Sequence, residues 1–284
     1  MFFLNTNEMR LLAAKVRRDI VKMIGVGQTG HLGGSCSSAD IVSVLYGGRM
    51  RFDPKNPQWE DRDRLIYSKG HAAIAQYAAM AEVGFFPMEE LWTVKTLGSR
   101  LQGHPDRLRT PGIEAGTGSL GQGLSIACGM ALAVRLDKKP GKVYCVVGDG
   151  EIAEGQIWEA AMAAAFYRVD NLICILDRNR LQAMGTVEER FDTNPLAEKW
   201  ESFGWSVTEI DGHDVDAILA AFEKAGKTEG KPSIVIANTI KGKGISFAEN
   251  VPGFHNGAMT GEQYEQALEE LNSQIALLET EAAL

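Results

Sequence analysis

This chain of 284 residues lacks several features that mark whole classes of proteins. It has only 4 cysteines and no CxxC pair, and the cysteines lie in apolar stretches, which favours reduced core residues over zinc ligands or disulfides. No apolar run approaches the roughly 20 residues of a membrane span. Charges at Glu8, Arg10 and Lys15 interrupt the N-terminus, so no signal peptide is predicted. We expect a soluble, cytoplasmic protein without a membrane partner.

An excess of positive charge is also absent. The formal net charge of -8 at pH 7 argues against non-specific binding to nucleic acid. Internal repeats and low-complexity linkers are lacking as well. With 45% hydrophobic and 23% charged residues, the composition is that of a globular protein with a real core. We interpret residues 1–284 as a single domain that closes with an amphipathic helix over about residues 260–280.

Helical and extended patterns alternate along the chain. Helical spacing predicts helices over the first 27 residues, from Ser37 to about Tyr46, over Ala72–Ala81 and from Asp214 to about Lys224. The glycine-bounded stretch GQTGHLGG (27–34) is predicted to be a loop. Apolar runs predict strands at LIY (65–67), KVYCVV (142–147), NLICILD (171–177), GWSVTEI (204–210) and PSIVIANTI (232–240). Such strands separated by helices predict an α/β fold, with a parallel sheet flanked by helices on both faces.

The segment VVGDGEIAEGQIWE (146–159) lies where an α/β fold usually keeps a phosphate-binding loop, yet it contains no lysine and no run of glycines. Ligands of parallel sheets bind outside the carboxyl ends of the strands. Asp149 lies at one such end, Asn179 just beyond the next and Lys241 just beyond a third. We therefore expect these three polar groups to converge on one edge of the sheet.

The carboxylate of Asp149 and the amide oxygen of Asn179, with a backbone carbonyl, suit a hard cation such as Mg²⁺. The metal then supplies the positive charge that the loop lacks, while Gly150 lets the backbone approach the anion closely. An isolated GDG is more often a tight turn with a helix cap, but Asn179 at this spacing favours the metal site. Glu151 is interpreted as a plain surface or cap residue.

The GDG turn with Asn179 about thirty residues later resembles the thiamine diphosphate-binding signature. Further segments resemble successive motifs of the transketolase N-terminal region, in the family's order: TGHLGGSCSSADI (29–41), DRDRLIYSKGHAA (61–73), LQGHPD (101–106), GTGSLGQGLSIACGMALA (116–133), IDGHD (210–214) and TIKGKGISFAEN (239–250) followed by FHNGA (254–258). The resemblance implies the thiamine diphosphate-binding fold. It also implies transfer of a two-carbon ketol unit from a ketose phosphate to an aldose phosphate.

The resemblance assigns roles to four of the five histidines. His31, His104 and His255 would line the substrate channel, bind sugar hydroxyls and help move protons. His71 and His255 would contact the diphosphate side of the cofactor, with Lys69 and Lys241 adding positive charge. His213 is interpreted as structural, in a turn before the helix that Asp214 caps.

The cofactor set implied by the family is larger. Gly118 and Leu120 match positions that pack on or bond the pyrimidine ring of the cofactor. Asp149 and Asn179 match the Mg²⁺ ligands, the carbonyl of Leu181 is the third, and Ca²⁺ or Mn²⁺ are expected substitutes. Gly150 and Glu154 complete the set. Two departures from the family pattern, Leu32 in place of a proline and RLQAMG (180–185) in place of an IDG-like ending, leave these ligands intact.

The same chemistry needs a pyrimidine-binding domain with a glutamate, which this chain does not supply. We expect a subunit of a split transketolase rather than a fragment, because the chain closes with a complete helix and the SKGH and SLGQG forms look like those of split versions. The partner would be a separate C-terminal subunit, with two copies of each subunit. Glu154 and Glu159 would then lie near the contact between two copies of this domain and share protons across it.

Three alternatives stay open. A 1-deoxyxylulose-5-phosphate synthase shares a GHL-like start but lacks the combination of QGHPD and SLGQG. A 2-oxoacid dehydrogenase alpha subunit is also half-sized, but is not expected to carry His31, His71 and His104 together. A non-catalytic binding module with a degenerate site is disfavoured by the retained Asp149 and Asn179. The motifs do not fix which ketose phosphate is the donor.

Overall fold

The computed structural model describes residues 3–282, so residues 1 and 2 of the predicted first helix lie outside the described residues, as do residues 283 and 284. The helices are α1 (Thr6–Ile24), α2 (Leu32–Ser37), α3 (Ala39–Val44), α4 (Ile74–Glu82), α5 (Gln122–Leu136), α6 (Gly155–Phe166), α7 (Val187–Phe191), α8 (Leu196–Ser202), α9 (Val215–Lys227) and α10 (Gly261–Ala282). The strands are β1 (Arg64–Tyr67), β2 (Val143–Gly148), β3 (Leu172–Arg178), β4 (Leu181–Gln182), β5 (Gly185–Thr186), β6 (Ser206–Asp211) and β7 (Ser233–Asn238).

Five of the strands form one sheet in the order β1-β2-β3-β7-β6, and every neighbouring pair is parallel. The central strands β2, β3 and β7 are buried along almost their whole length, which explains why they are continuous apolar runs in the sequence. The edge strand β6 is only partly buried. The predicted parallel α/β fold is confirmed.

The sheet separates two apolar clusters, because successive side chains of a strand point to opposite faces. Tyr144 and Val146 of β2 pack with residues of α1, α3, α4 and α9. Cys145 and Val147 of the same strand pack with residues of α5, α6 and α8 on the other face. Helix α10 lies against α1. All four cysteines are free and buried, as predicted for core residues.

One difference from the expected elements lies between residues 25 and 44. The first helix ends at Ile24, where Gly25 takes a positive φ of 69°. The predicted loop GQTGHLGG is wrong at its end, because Leu32 begins the buried helix α2. The predicted second helix corresponds to α3, which begins at Ala39 rather than at Ser37 and is followed by a π-helical turn over Leu45–Arg49.

Within residues 3–282, none of the helices combines the length and the apolar character required to cross a membrane.

Candidate active site

A cavity of about 250 Å³ opens at the carboxyl edge of the sheet, beyond the ends of β2, β3 and β7. It is lined by Gly34, Lys69, His71, Leu120, Gly148, Asp149, Gly150, Glu151, Asn179, Leu181, Gln182, Ala183, Lys241 and His255. The three polar groups expected at this edge, Asp149, Asn179 and Lys241, are all among them. The parallel sheet thus brings together residues that are far apart in sequence.

Asp149 follows β2 directly and is buried, with 4% of its surface exposed. Its carboxylate accepts hydrogen bonds from the backbone N–H groups of Gly150, at 2.8 Å, and Arg180. Burial and the nearby Asp177 raise the pKa of Asp149 to about 7. A cation bound in the cavity would reverse that shift and keep the carboxylate ionised.

Asn179 is held in a definite orientation. Its Nδ2 donates to Asp177 Oδ2 at 3.2 Å, and its Oδ1 accepts from the N–H of Leu181 at 3.2 Å. The carbonyl of Leu181 accepts from Lys241 Nζ at 2.6 Å. The predicted metal ligands are therefore oxygen atoms of a carboxylate, an amide and a carbonyl around one cavity. Residues 3–282 contain no cluster of three or more His, Cys, Asp or Glu side chains suited to a metal. Carboxylate, amide and carbonyl oxygens are ligands that a hard cation prefers.

Asp177, the fully buried acid at the end of β3, was not among the residues predicted from the sequence. Besides Asn179, it accepts hydrogen bonds from Ser37 Oγ at 2.6 Å, from Lys69 Nζ and from Thr239 Oγ1. Burial opposes ionisation, but Lys69 and the hydroxyl donors lower the pKa of Asp177 below its usual value. Asp177 therefore fixes both the amide of Asn179 and the ammonium of Lys69. The one sequence signal was an acid closing an apolar strand two residues before Asn179.

Two lysines bring positive charge to the cavity. Lys69 is buried, and although burial opposes it, Asp177 raises the pKa of the ammonium group. Lys241 is also buried, and burial together with Lys69 lowers its pKa to about 8. Its Nζ lies 2.8 Å from His255 Nδ1. The cavity can therefore attract an anion, which the acidic GDG turn alone cannot do.

His31, His71 and His255 form one cluster, of which His71 and His255 line the cavity and His31 does not. Ring centroids lie 4.9 Å apart for His31 and His71, 5.2 Å for His71 and His255, and 5.6 Å for His31 and His255. Burial and neighbouring lysines lower the pKa of His31 and of His255 to about 4, and that of His71 to about 2. All three are neutral near pH 7, so each offers one nitrogen donor and one acceptor.

His104 is exposed and lies outside the cavity lining, beside the GTGSLGQG loop. Gly118 has a φ of 151°, and a Cβ there would lie 2.7 Å from His104 Cδ2, so only glycine lets the ring approach this loop. Leu120 of the same loop lines the cavity. The structure therefore brings the LQGHPD and GTGSLGQG segments together, and the second of them reaches the cavity through Leu120.

The interpretation of Glu151 as a surface or cap residue is wrong. Its side chain is buried, and it accepts from the N–H groups of Gly121 at 2.9 Å and Gly148 at 3.0 Å, and from the Ser68 hydroxyl. It thus ties the GDG turn to the GTGSLGQG loop. Glu154 lies outside the cavity lining: it is exposed and packs beside Gly121. Glu159 is exposed on α6.

The turn before α9 has the predicted form. Asp214 caps the helix, accepting from the N–H groups of Asp216 at 3.0 Å and Ala217 at 3.2 Å. His213 lies outside the cavity lining.

Comparison with known proteins agrees with this geometry. The family profile described as "Transketolase, thiamine diphosphate binding domain" matches residues 6–274. The 6-deoxy-6-sulfo-D-fructose transketolase subunit SqwG of Clostridium sp. (strain MSTE9) is 48% identical over 259 residues, which cover 91% of this chain and 94% of that protein. An apulose-4-phosphate transketolase subunit of Phocaeicola vulgatus is 41% identical over 273 residues, which cover 96% and 97%.

Solved structures are similar over the same range. Transketolase from Campylobacter jejuni superposes with a TM-score of 0.84 at 31% identity, covering 96% of this chain and 48% of that one. A transketolase variant from Pichia stipitis gives a TM-score of 0.86 at 28% identity, covering 99% and 45%. The chain therefore spans slightly less than half the length of these solved transketolases.

Proposed function

Because this chain belongs to the transketolase family, we propose that it is the N-terminal subunit of a thiamine diphosphate- and Mg²⁺-dependent transketolase. The complete enzyme would transfer a two-carbon ketol unit from a ketose phosphate to an aldose phosphate. The observation that carries the proposal is the single cavity lined by Asp149, Asn179, Lys69, Lys241 and two of the three clustered histidines. The four free, buried cysteines support a cytoplasmic location. A role in carbohydrate metabolism follows from the proposed sugar phosphate substrates.

The residues present fit the cofactor. The oxygens of Asp149, Asn179 and Leu181 form the donor set that Mg²⁺ prefers, with room left for phosphate oxygens. Gly150 contributes no side chain; a Cβ there would already lie 3.0 Å from Gln182 Cγ, so the turn is closely packed. Lys69 and Lys241 supply cationic groups to a diphosphate. When bound, thiamine diphosphate supplies the carbon centre that takes up and releases the ketol unit.

The chain's own residues would bind and orient the substrate. His31, His71 and His255 are neutral at physiological pH and can donate to or accept from sugar hydroxyls. His104, which lies beside Gly118 and outside the cavity lining, would contact the part of the sugar farther from the diphosphate. Leu120 would pack against the cofactor ring, and Gly118 would keep the loop close to His104.

The names of the relatives support the existence of a partner subunit and indicate a chemical class for the ketose donor. Two of them are named as transketolase subunits, so we expect this chain to act with a separate C-terminal subunit that carries the pyrimidine-binding domain. Their named substrates are a sulfonated fructose and an apulose phosphate, both ketoses with an anionic group. We therefore expect a ketose that carries a terminal phosphate or sulfonate.

The test is reconstitution with the candidate partner. Titration of the pair with thiamine diphosphate should show tight binding with Mg²⁺ and weak binding in the presence of a chelator. Asp149→Asn should abolish the Mg²⁺ dependence, whereas Asp137→Asn, at an exposed acid far from the cavity, should leave it unchanged. Absent or metal-independent binding in the assembled wild-type pair would contradict the proposal.

Self-association of this subunit is the second part of the proposal. Helix α6 exposes Glu159, Met162 and Phe166, and Glu154 is exposed just before it, which is the composition of a surface that contacts a second copy. We expect Phe166→Ser to weaken the dimer in sedimentation experiments and Glu154→Gln to weaken coupling between the two sites. If Glu154→Gln leaves dimerisation and cofactor binding unchanged, the shared-proton hypothesis fails.

A further inference from the structure

His213 does not line the proposed cavity, yet a hydrogen bond connects its ring to the backbone that leads into that cavity. Its Nδ1 lies 2.7 Å from Asp40 Oδ2, and its Nε2 accepts a hydrogen bond of 2.8 Å from the backbone N–H of Ile240. Ile240 immediately precedes Lys241, whose ammonium group lines the cavity. A side chain outside the site is therefore bonded to the backbone that carries a site residue.

The partners of His213 determine which of its two ring nitrogens carries the proton. Asp40 and Arg17 are both buried, with 6% and 4% of their surfaces exposed, and Arg17 donates to both carboxylate oxygens. Burial opposes ionisation, but Arg17 and His213 together hold the pKa of Asp40 below its ordinary value. An ionised Asp40 can only accept, so His213 Nδ1 carries the proton and Nε2 is left as the acceptor for Ile240.

The position of Ile240 in turn constrains Lys241. The lysine stem runs close over Gly33, where a Cβ would lie 2.8 Å from Lys241 Cγ, and the N–H of Gly242 donates to the carbonyl of Gly33 at 3.0 Å. From this backbone path, Lys241 Nζ reaches both the Leu181 carbonyl and His255. We expect a shift at Ile240 to move the ammonium group away from both partners.

We propose that His213 is a positioning residue, which through the N–H of Ile240 holds Lys241 where the cofactor's diphosphate binds. The identity of that ligand rests on the proposed function, but the placement of residues 240–242 does not. The alternative is a purely structural role, in which His213 serves only to satisfy Asp40. The two roles use different nitrogens of the ring, so they can be separated by substitution.

His213→Gln and His213→Asn form the test pair. A glutamine places an oxygen near the position of Nε2, and so keeps an acceptor for Ile240 while losing the contact with Asp40. An asparagine places an amide near Nδ1, and so keeps a donor for Asp40 while losing the acceptor. In the assembled pair with Mg²⁺, we expect His213→Asn to weaken thiamine diphosphate binding roughly 10-fold or more, the scale of outer-shell substitutions, and His213→Gln by clearly less.

Amide hydrogen exchange of the segment 239–245 provides a readout that needs no cofactor. We expect faster exchange at Ile240 in His213→Asn than in His213→Gln or the wild type. Equal effects of the two variants, or the reverse ranking in binding or exchange, would overturn the positioning role. If the wild-type pair fails to bind thiamine diphosphate, the proposed function fails, while the exchange comparison still decides the role of His213.

Discussion

Two groups of buried acids in this molecule behave in opposite ways. Asp177, at the carboxyl edge of the sheet, faces the ammonium group of Lys69 and donors from Ser37, Asn179 and Thr239. Asp19 of α1 is equally buried but lies beside a second acid, Glu82 at the end of α4. The cation nearest that pair is the partly exposed Arg18, 3.1 Å from Asp19 and 3.5 Å from Glu82.

The pKa shifts follow the partners. Burial disfavours the carboxylate in both groups, yet the pKa of Asp177 is lowered, whereas that of Asp19 is raised. Burial and the neighbouring Asp19 raise the pKa of Glu82 to about 7. Burial alone therefore does not decide whether an acid stays ionised; a buried cation and several donors do. Asp177 therefore keeps its charge through its partners, whereas the acid pair of α1 and α4 does not.

The largest effect is expected from Asp177→Asn. The variant leaves the ammonium group of Lys69 buried without its counter-charge. Removal of one partner of a buried ion pair lowers the free energy of unfolding by about 3–5 kcal/mol. Urea denaturation measures this loss. Asp137→Asn, at an exposed acid, should change the unfolding free energy by less than about 0.5 kcal/mol.

The ion pair can be separated from the neutral donors by a double substitution. Lys69→Met combined with Asp177→Asn removes both charges, so it should be less destabilising than the sum of the two single variants. Additive losses would show that the hydroxyl donors, and not Lys69, keep Asp177 ionised, and the contrast with Asp19 would lose its basis.

The same contrast explains what could be predicted from the sequence. The buried strands could be predicted because short, continuous apolar runs between helices are typical of strands in a parallel sheet. Asp149, Asn179 and Lys241 could be predicted because they lie just beyond strand ends. Asp177 was missed because its partners Thr239, Lys69 and Ser37 are 62, 108 and 140 residues away in sequence. Only tertiary packing brings such groups together, so no local sequence pattern predicts their contacts.

Glu151 and α2 were predicted wrongly for related reasons. A glutamate after a turn is usually solvated, and only the GTGSLGQG loop folding over it, through the N–H of Gly121, makes it buried. The glycines of GQTGHLGG indicate a loop by propensity. In the structure, Gly33 allows close packing of α2 against Lys241, so tertiary contact overrides the local signal.

A smaller effect, which depends on pH, is expected at the acid pair. Because the pKa of Glu82 is raised in the folded state, its contribution to stability is complete below about pH 4.5 and is lost as pH rises through about 7. Glu82→Gln keeps a neutral group at every pH. We expect this variant to remove the decrease of the unfolding free energy with pH that Glu82 causes. At pH 8 it should raise the unfolding free energy by roughly 2 kcal/mol.

Urea denaturation at pH 5 and pH 8 checks this, with the exposed Glu265→Gln as control. The 3.5 Å contact with Arg18 that is also removed is partly exposed and contributes little. If the variant is less stable than the wild type at pH 8, Arg18 stabilises the ionised form of Glu82. Asp177 and the pair of Asp19 and Glu82 would then both be stabilised by a neighbouring cation.

The smallest effect is expected from a matched pair of serines in α2 and α3. Ser37 and Ser43 are both fully buried, but Ser37 Oγ donates to Asp177 at 2.6 Å, whereas Ser43 Oγ has no hydrogen-bond partner among the described residues. Ser37→Ala removes a bond to a charged group and should cost about 1.5 kcal/mol, while Ser43→Ala should fall within about 0.5 kcal/mol of the wild type. Urea denaturation of the two variants compares one chemical change in two surroundings. Equal losses would mean that Asp177 does not depend on its neutral donors and that Lys69 alone separates the two acid groups.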